Sequence, residues 1–261
     1  MSEHLLSLSE ADSSRFGLRI VRGRIDDPAA CRSDALYGEI QSLRADIAVI
    51  RLPAGTIAPL YALVDQGLAL LHADTLVYHT RNLSEPFLSQ RDEQFLRVDL
   101  ANAEDSEVIA SIARYAFSSY RSHYHANPLL DPTKITEGYA QWATSFLNQT
   151  THDRETWVVR RRNQIIAFAT CQLAGDNSEI ILNAVDPAYA GQGVYSYMLG
   201  KMMHGYRARH FHFMHTSTQI WNYTVQRAWA RAGFIISRAY DTYHVNALLG
   251  AASQPEAATN G

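Results

Sequence analysis

At 261 residues the chain has room for one large or two small domains and for a full core without staples. Its 47% hydrophobic and 19% charged residues are those of an ordinary soluble globular protein, and a net charge of -3 gives no reason to expect a nucleic-acid partner. No apolar run reaches the ~20 residues of a membrane span, no basic stretch leads into an apolar core at the start, and Cys31 and Cys171 have no metal or redox spacing. A reduced, cytoplasmic protein is expected.

Residues 1–15 read as polar and irregular. Residues 18–25 alternate weakly and predict a strand. Asp26-Asp27-Pro28 then predicts a helix start, with Pro28 near its first position. Residues 47–52 form a short apolar run closed by Pro53. A helix over 56–71 and a strand over 75–80 follow. The first ninety residues thus read β-α-β-α-β, which favours a parallel or mixed sheet with helical crossovers. A polar, charged stretch at 81–93 reads as a linker. Beyond it come a strand at 95–100 and a helix at 103–117 capped by Asn102. An aromatic-rich irregular segment at 118–131 and a helix at 132–146 follow. Strands are expected at 156–160, 165–173, 180–185 and 211–216. A helix at 221–232 is stopped by Gly233. The strands at 234–237 and 240–245 read as two strands or one. Residues 250–261 are expected to be disordered.

The stretch from Asn183 to Ser196 organises the second part. An apolar strand ends at Asp186-Pro187, Gly191 and Gly193 bracket a tight turn, and Val194, Met198, Met202 and Tyr206 share one helical face. A glycine turn feeding a helix presents free N–H groups and the positive end of the helix dipole, an arrangement that binds phosphate. No Gly-x4-Gly-Lys-Ser/Thr loop is present. Gly191-x-Gly193 lacks the third glycine of a dinucleotide fingerprint, since Ser196 stands there.

The order of elements, with Val185-x-Pro187-x-x-x-Gly191-x-Gly193, Asn222 and Ala232-Gly233-Phe234, resembles the GNAT family, the Gcn5-related acyl-CoA N-acyltransferases. The resemblance covers about residues 94–247. It implies a GNAT fold of the α/β (α+β) class, a mixed central sheet flanked by helices, preceded by a smaller GNAT-like half-domain at 1–90. It also implies acetyl transfer from acetyl-CoA, as co-substrate, to a primary amine that attacks directly. Gly191, Gln192, Gly193, Val194, Tyr195 and Ser196 would hold the pyrophosphate. Ala184 and Val185 would pair with the pantetheine, whose arm Asn222 would hydrogen-bond. The backbone of Asn183 and Ala184 would polarise the thioester, as an oxyanion hole does. Three positions depart from the family pattern. Ala190 stands for Arg or Gln, Tyr195 for Gly or Ala, and Trp229 for the Tyr that often serves as general acid. Indole supplies no proton at neutral pH, and helical spacing turns Tyr223 away from Trp229, so the general acid is unassigned.

A narrower resemblance, carried by Arg15-Phe16-Gly17, Leu76-Val77-Tyr78, Ser119-Tyr120-Arg121, Tyr139-Ala140-Gln141-Trp142 and Thr218-Gln219-x-x-Asn222, is to bacterial TDP-fucosamine and related amino-sugar N-acetyltransferases. It implies a small-molecule amine acceptor, a nucleotide-linked amino sugar, with His123 and His125 on the acceptor side. Other acceptors stay open: an antibiotic, a peptide or a polyamine. So does a CoA-binding module with little turnover. Neither nucleic acid nor membrane is an expected partner, and a homodimer stays open.

Each feature also has a plainer meaning. The glycines suit any strand–helix turn, and Asn222 suits a helix cap. His123 and His125 suit a solvent-facing loop, and Arg160-Arg161-Arg162 a solvated hairpin or a contact to a diphosphate. Tyr139 and Trp142 read as core. Glu179 is a candidate base acting through water. His210 and His212 share a strand face without a third ligand, so no metal is expected.

Overall fold

A computed structural model describes residues 4–87, 95–147 and 152–248. In chain order the elements are β1 (Ser7–Leu8), α1 (Glu10–Phe16), β2 (Ile20–Arg24), α2 (Ser33–Ser42), β3 (Ile47–Pro53), α3 (Ala58–Asp65), β4 (Ala69–Asn82), β5 (Leu96–Leu100), α4 (Ser106–Phe117), α5 (Thr133–Ser145), β6 (Arg154–Arg161), β7 (Gln164–Ala174), β8 (Asn177–Val185), α6 (Val194–Ala208), β9 (Phe213–Gln219), α7 (Tyr223–Arg231) and β10 (Ile235–Asn246). They form two compact units. One holds Met1–Leu76, Arg121–Pro132 and Ala239–Gly261; the other holds Val77–Tyr120 and Thr133–Arg238. The expected tail at 250–261 and residues 88–93 of the expected linker lie outside the described residues.

In the first unit the strand order is β1-β2-β3-β10. β2 and β3 run parallel, Ile20 opposite Ile47 through Arg24 opposite Arg51. β10 runs antiparallel to β3, with Thr242 opposite Arg51 and His244 opposite Val49. The core gathers Val21, Leu36, Ile40, Ile50, Leu52, Leu60 and Leu63. Burying each such side chain stabilises the fold by roughly 1.5–3 kcal/mol relative to exposure.

In the second unit the order is β4-β9-β8-β7-β6-β5. The pairs from β5 to β8 are antiparallel, and β8 and β9 are parallel. The Leu83 N–H donates to the His212 carbonyl at 2.8 Å, and Thr80 Oγ1 meets His215 Nδ1 at 3.0 Å. Both pairs set one antiparallel register of β4 on β9, which puts His79 across from Thr216. The helical period seen in the sequence buries Val194, Tyr197, Met198, Met202, Met203 and Tyr206 of α6 in one core with Met214 and Trp229. Cys171 of β7 is buried in the same core and unbridged; Cys31 is partly buried.

Several expected boundaries move. A helix, α1, occupies part of the stretch read as irregular, and Ser9 Oγ donates to Asp12 at its start, 2.8 Å. No helix starts at Pro28: the Asp27 carboxylate accepts from the N–H groups of Ala29 and Ala30 at 3.1 and 3.3 Å, closing an Asx turn instead. α3 stops at Asp65, and β4 starts at Ala69, well before the expected strand. The presumed linker begins inside β4. Arg81 is buried there because its guanidinium donates to the carbonyls of Gly233 and Pro86 and to Glu85, at 3.2, 2.8 and 2.6 Å. The final strand is continuous.

Candidate active site

The central feature is a parting of two strands. β8 and β9 pair only from Asn177 opposite Phe213 to Ile180 opposite Thr216. At that level β8 carries a bulge against β7: Cys171 faces Ile180, the next residue Thr170 faces Leu182, and Ile181 is the extra residue. A bulge bends its strand and raises its twist. Thr170 fixes this one with its side chain. Its hydroxyl donates to the Leu182 carbonyl at 3.2 Å and accepts the Leu182 N–H at 3.1 Å.

Beyond the bulge, β8 keeps its ladder to β7 alone. The Asp186 N–H donates to the Ile166 carbonyl at 2.8 Å, and Ala184 stands opposite Phe168. Hydrogen-bonded pairs alternate along an antiparallel ladder, so Ala184 directs its backbone to β7. Asn183 and Val185 direct theirs to the open edge that β9 has left. This corrects the expected pairing of Asn183 and Ala184 at a thioester: the groups on the open edge are those of Asn183 and Val185.

The turn follows directly. Asp186 caps a short 3-10 turn by accepting the Ala188 N–H at 2.9 Å. Gly191 and Gly193 have φ of 74° and 80°, a left-handed conformation that favours glycine. Gly193 is the N-cap of α6 and receives no side-chain cap. The first bond of the helix runs from the Tyr197 N–H to the Gly193 carbonyl, 3.0 Å. The N–H groups of Val194, Tyr195 and Ser196 therefore have no partner within the helix. A Cβ added at either glycine meets nothing within 4 Å. Gln192 and Ser196 are exposed, and Gln192 Nε2 donates to the Ala188 carbonyl at 3.1 Å. This end of β8 is thus a run of open backbone donors with space in front of it.

Asn222 sits at the N-cap position of α7 yet makes no side-chain cap. Its Nδ2 instead donates to Thr218 Oγ1 at 3.0 Å, which ties α7 to the far end of β9. Trp229 is 1% exposed and donates its indole N–H to Tyr195 Oη at 2.6 Å. Tyr195 therefore turns into the core and leaves the open side of the turn to backbone. Burial pushes its hydroxyl well above the ordinary tyrosine value, against the Trp229 hydrogen bond. The partner of Trp229 thus comes from another helix, which helical spacing along α7 does not reveal. The His79 ring lies 5.0 Å from that of Trp229. His79 Nδ1 and Thr216 Oγ1 are buried without a hydrogen-bond partner among the described residues. Both lie at the level where β8 and β9 part.

The other expected residues divide between the two units. His123 and His125 belong to the first unit. His123 is buried with its Nδ1 2.8 Å from His244 Nε2, and His125 Nδ1 accepts the Ser122 N–H at 3.1 Å. Burial, with Arg22 next, holds His123 well below the usual histidine range. Glu179 lies on the paired part of β8, opposite Gln172 and His215. Arg160 is no solvated hairpin residue: it is bound to Asp105 at 2.7 Å. Tyr139 is core, stacked on Phe117 at 4.4 Å, whereas Trp142 is 44% exposed. His210 precedes β9 with φ of 64° and so makes no strand pair with His212. No group of three metal-ligating side chains occurs among the described residues. Neither is any described helix long and apolar enough to cross a membrane.

Residues 106–234 match the acetyltransferase (GNAT) family. Over 212 residues the chain is 21% identical to the spore coat polysaccharide biosynthesis protein SpsD of Bacillus subtilis (strain 168), covering 81% of this chain and 71% of that protein. A GCN5-related N-acetyltransferase from Sphaerobacter thermophilus superposes with a TM-score of 0.60 at 12% identity, covering 92% of this chain and 75% of that one. A tandem GNAT protein from the clavulanic acid biosynthesis pathway superposes with a TM-score of 0.59 at 9% identity, over 88% and 76%. Residues 106–234, which hold the parted strands and the glycine turn, thus match the GNAT family, and the protein is an acetyltransferase.

Proposed function

We propose that the protein transfers the acetyl group of acetyl-CoA to the primary amine of a small acceptor, a nucleotide-linked amino sugar, in the cytoplasm. One observation carries this reading: an open strand edge, Asn183 to Val185, runs straight into the uncapped N–H groups of Val194 to Ser196. A long ligand with a diphosphate at one end and amide groups along its arm fits such a row of donors. In this reading the acceptor amine attacks the thioester carbonyl. The outward N–H groups of β8 stabilise the oxyanion, and the intermediate expels the CoA thiolate, which leaves with the proton lost by the amine. Preorganised donors of this kind contribute about 10²–10³ in rate where tested. The amino-sugar acceptor is supported by the likeness to a polysaccharide biosynthesis protein. Residues 1–90 and 94–247 are proposed as the half-domain and the catalytic domain.

Thermal shift with acetyl-CoA tests the donor site, and a protein whose melting point does not move would refute it. Thiol release with TDP-linked amino sugars, against an antibiotic, a peptide and a polyamine, tests the acceptor. Trp229, whose N–H is spent on Tyr195, favours one second reading, a CoA-binding module with little turnover. That reading predicts a thermal shift with no thiol release from any amine.

A further inference from the structure

The first unit holds a cavity of about 340 Å³, walled by the Leu5–Ser7 segment and by Arg22, Arg24 and Arg51. The parallel register makes this trio. Arg24 is opposite Arg51, and Arg22 is opposite Val49 two residues back. Side chains two apart on a strand share a face, and neighbouring strands lie only about 4.8 Å apart. Three guanidiniums therefore converge on one side of β2 and β3. Gly23 lets the wall close: a Cβ there would meet the Leu5 carbonyl oxygen at 2.3 Å.

Two of the three are already paired. Arg22 Nε donates to Asp12 at 2.6 Å and Arg22 Nη2 to Tyr124 Oη at 2.6 Å. Asp12 is shared with Arg15 at 3.2 Å. Arg24 Nε donates to Asp26 at 2.8 Å and its Nη2 to Tyr240 Oη at 2.9 Å. Glu39 is taken up by the Leu5 and Leu6 N–H groups, at 3.1 and 2.9 Å, with His4 at 3.9 Å. Arg51 has no hydrogen-bond or ion-pair partner among the described residues, and its Nε is buried. Opposite it on β10, Thr242 carries a buried hydroxyl that also lacks one. An unpaired cation beside two others is costly to hold near low-dielectric protein. The same field, after burial, helps hold His123 and His244 neutral.

We infer that this cavity is an anion site for a phosphate or diphosphate group of a small molecule, with Arg51 as its principal ligand and Arg24 beside it. Guanidinium forks match phosphoryl oxygens, and the volume admits a diphosphate. The inference is independent of the proposed acetyl transfer, because every wall residue belongs to the first unit.

The test titrates pyrophosphate into the full chain by calorimetry, with saturating CoA present to occupy the turn of the second unit. Saturable one-to-one binding is expected, weakened about 10- to 100-fold in Arg51→Gln, whereas Arg162→Gln leaves it unchanged. Orthophosphate should bind the same site more weakly. Absence of saturable binding, equal affinity in Arg51→Gln, or citrate binding in place of pyrophosphate overturns the assignment. If Arg51→Gln does not fold, the ³¹P resonance of pyrophosphate with wild-type protein decides: a saturable shift insensitive to CoA supports the site, and no shift overturns it.

Discussion

Two β-α-β units of this chain begin alike and end differently. β2-α2-β3 and β8-α6-β9 each join parallel strands through a helix, and each leaves its first strand through a loop with an Asp-Pro step, Asp27-Pro28 and Asp186-Pro187. In the first, the ladder holds from Ile20 opposite Ile47 to Arg24 opposite Arg51. There the Asp27 carboxylate takes up the loop's own N–H groups. In the second, the ladder stops after Ile180 opposite Thr216, and the glycine turn leaves its N–H groups open. In the closed unit both strands stay paired and side chains line the cavity, although α2 also starts without a side-chain cap; the parted unit adds an open strand edge to its backbone donors. One supersecondary pattern can thus present either kind of chemistry. Which it presents depends on a single bulge and on where the loop spends its donors.

The sharpest way to break the backbone-presenting unit is Gly193→Val. Its φ of 80° is a strained conformation for a branched residue, costing about 1–2 kcal/mol, and the side chain would project into the open space before the helix. The acetyl-CoA thermal shift should vanish; if the variant binds normally, the diphosphate lies elsewhere. Thr170→Val attacks the bulge. It strips the Leu182 N–H and carbonyl of their buried partner, which should cost about 1–3 kcal/mol and raise the KM for acetyl-CoA, checked by urea unfolding and steady-state kinetics.

The side-chain unit answers to pH. Burial, with Arg22 next, lowers His244 from 6.5 to about 4, and His123 moves the same way. A histidine whose folded value is depressed takes up its proton first in the unfolded chain. Stability should therefore be full above pH 6.5 and fall as the pH drops towards about 4, by about 1.4 kcal/mol per pH unit for each histidine. His244→Gln should flatten that slope in urea unfolding between pH 7 and 4. The smallest effect separates packing from ligand contact at the parting of β8 and β9. Thr216→Val removes a buried hydroxyl that has no partner and should change stability by less than about 1 kcal/mol. Turnover should fall if a substrate group uses that hydroxyl, and an unchanged kcat and KM would assign Thr216 to packing alone.

Legibility in the sequence followed the range of the interaction. The turn at Gly191 and Gly193 and the apolar face of α6 could be read, because left-handed backbone calls for glycine and a helix repeats every 3.6 residues. The bulge at Ile181 could not, since a register slip leaves no residue signature along one strand. Arg22, Arg24 and Arg51 come together only through parallel pairing, so nothing local joins them. Arg81 reads as linker because charge suggests solvent, yet beside its near neighbours Glu85 and Pro86 it binds the Gly233 carbonyl, which only the fold brings close. Tyr195 was ambiguous for the same reason: its partner Trp229 lies on another helix.

Cys171 gives the second unit a built-in clock. Its thiol sits in β7 beside the bulge, fully buried, and burial pushes it far above the ordinary thiol value. Only a thiolate reacts with an alkylating reagent, so labelling of Cys171 has to wait until the sheet opens. The partly buried Cys31, also raised by burial, provides a faster internal reference on the same chain. The ratio of the two labelling rates, followed as ligand is added, would report how often the strands around the bulge come apart.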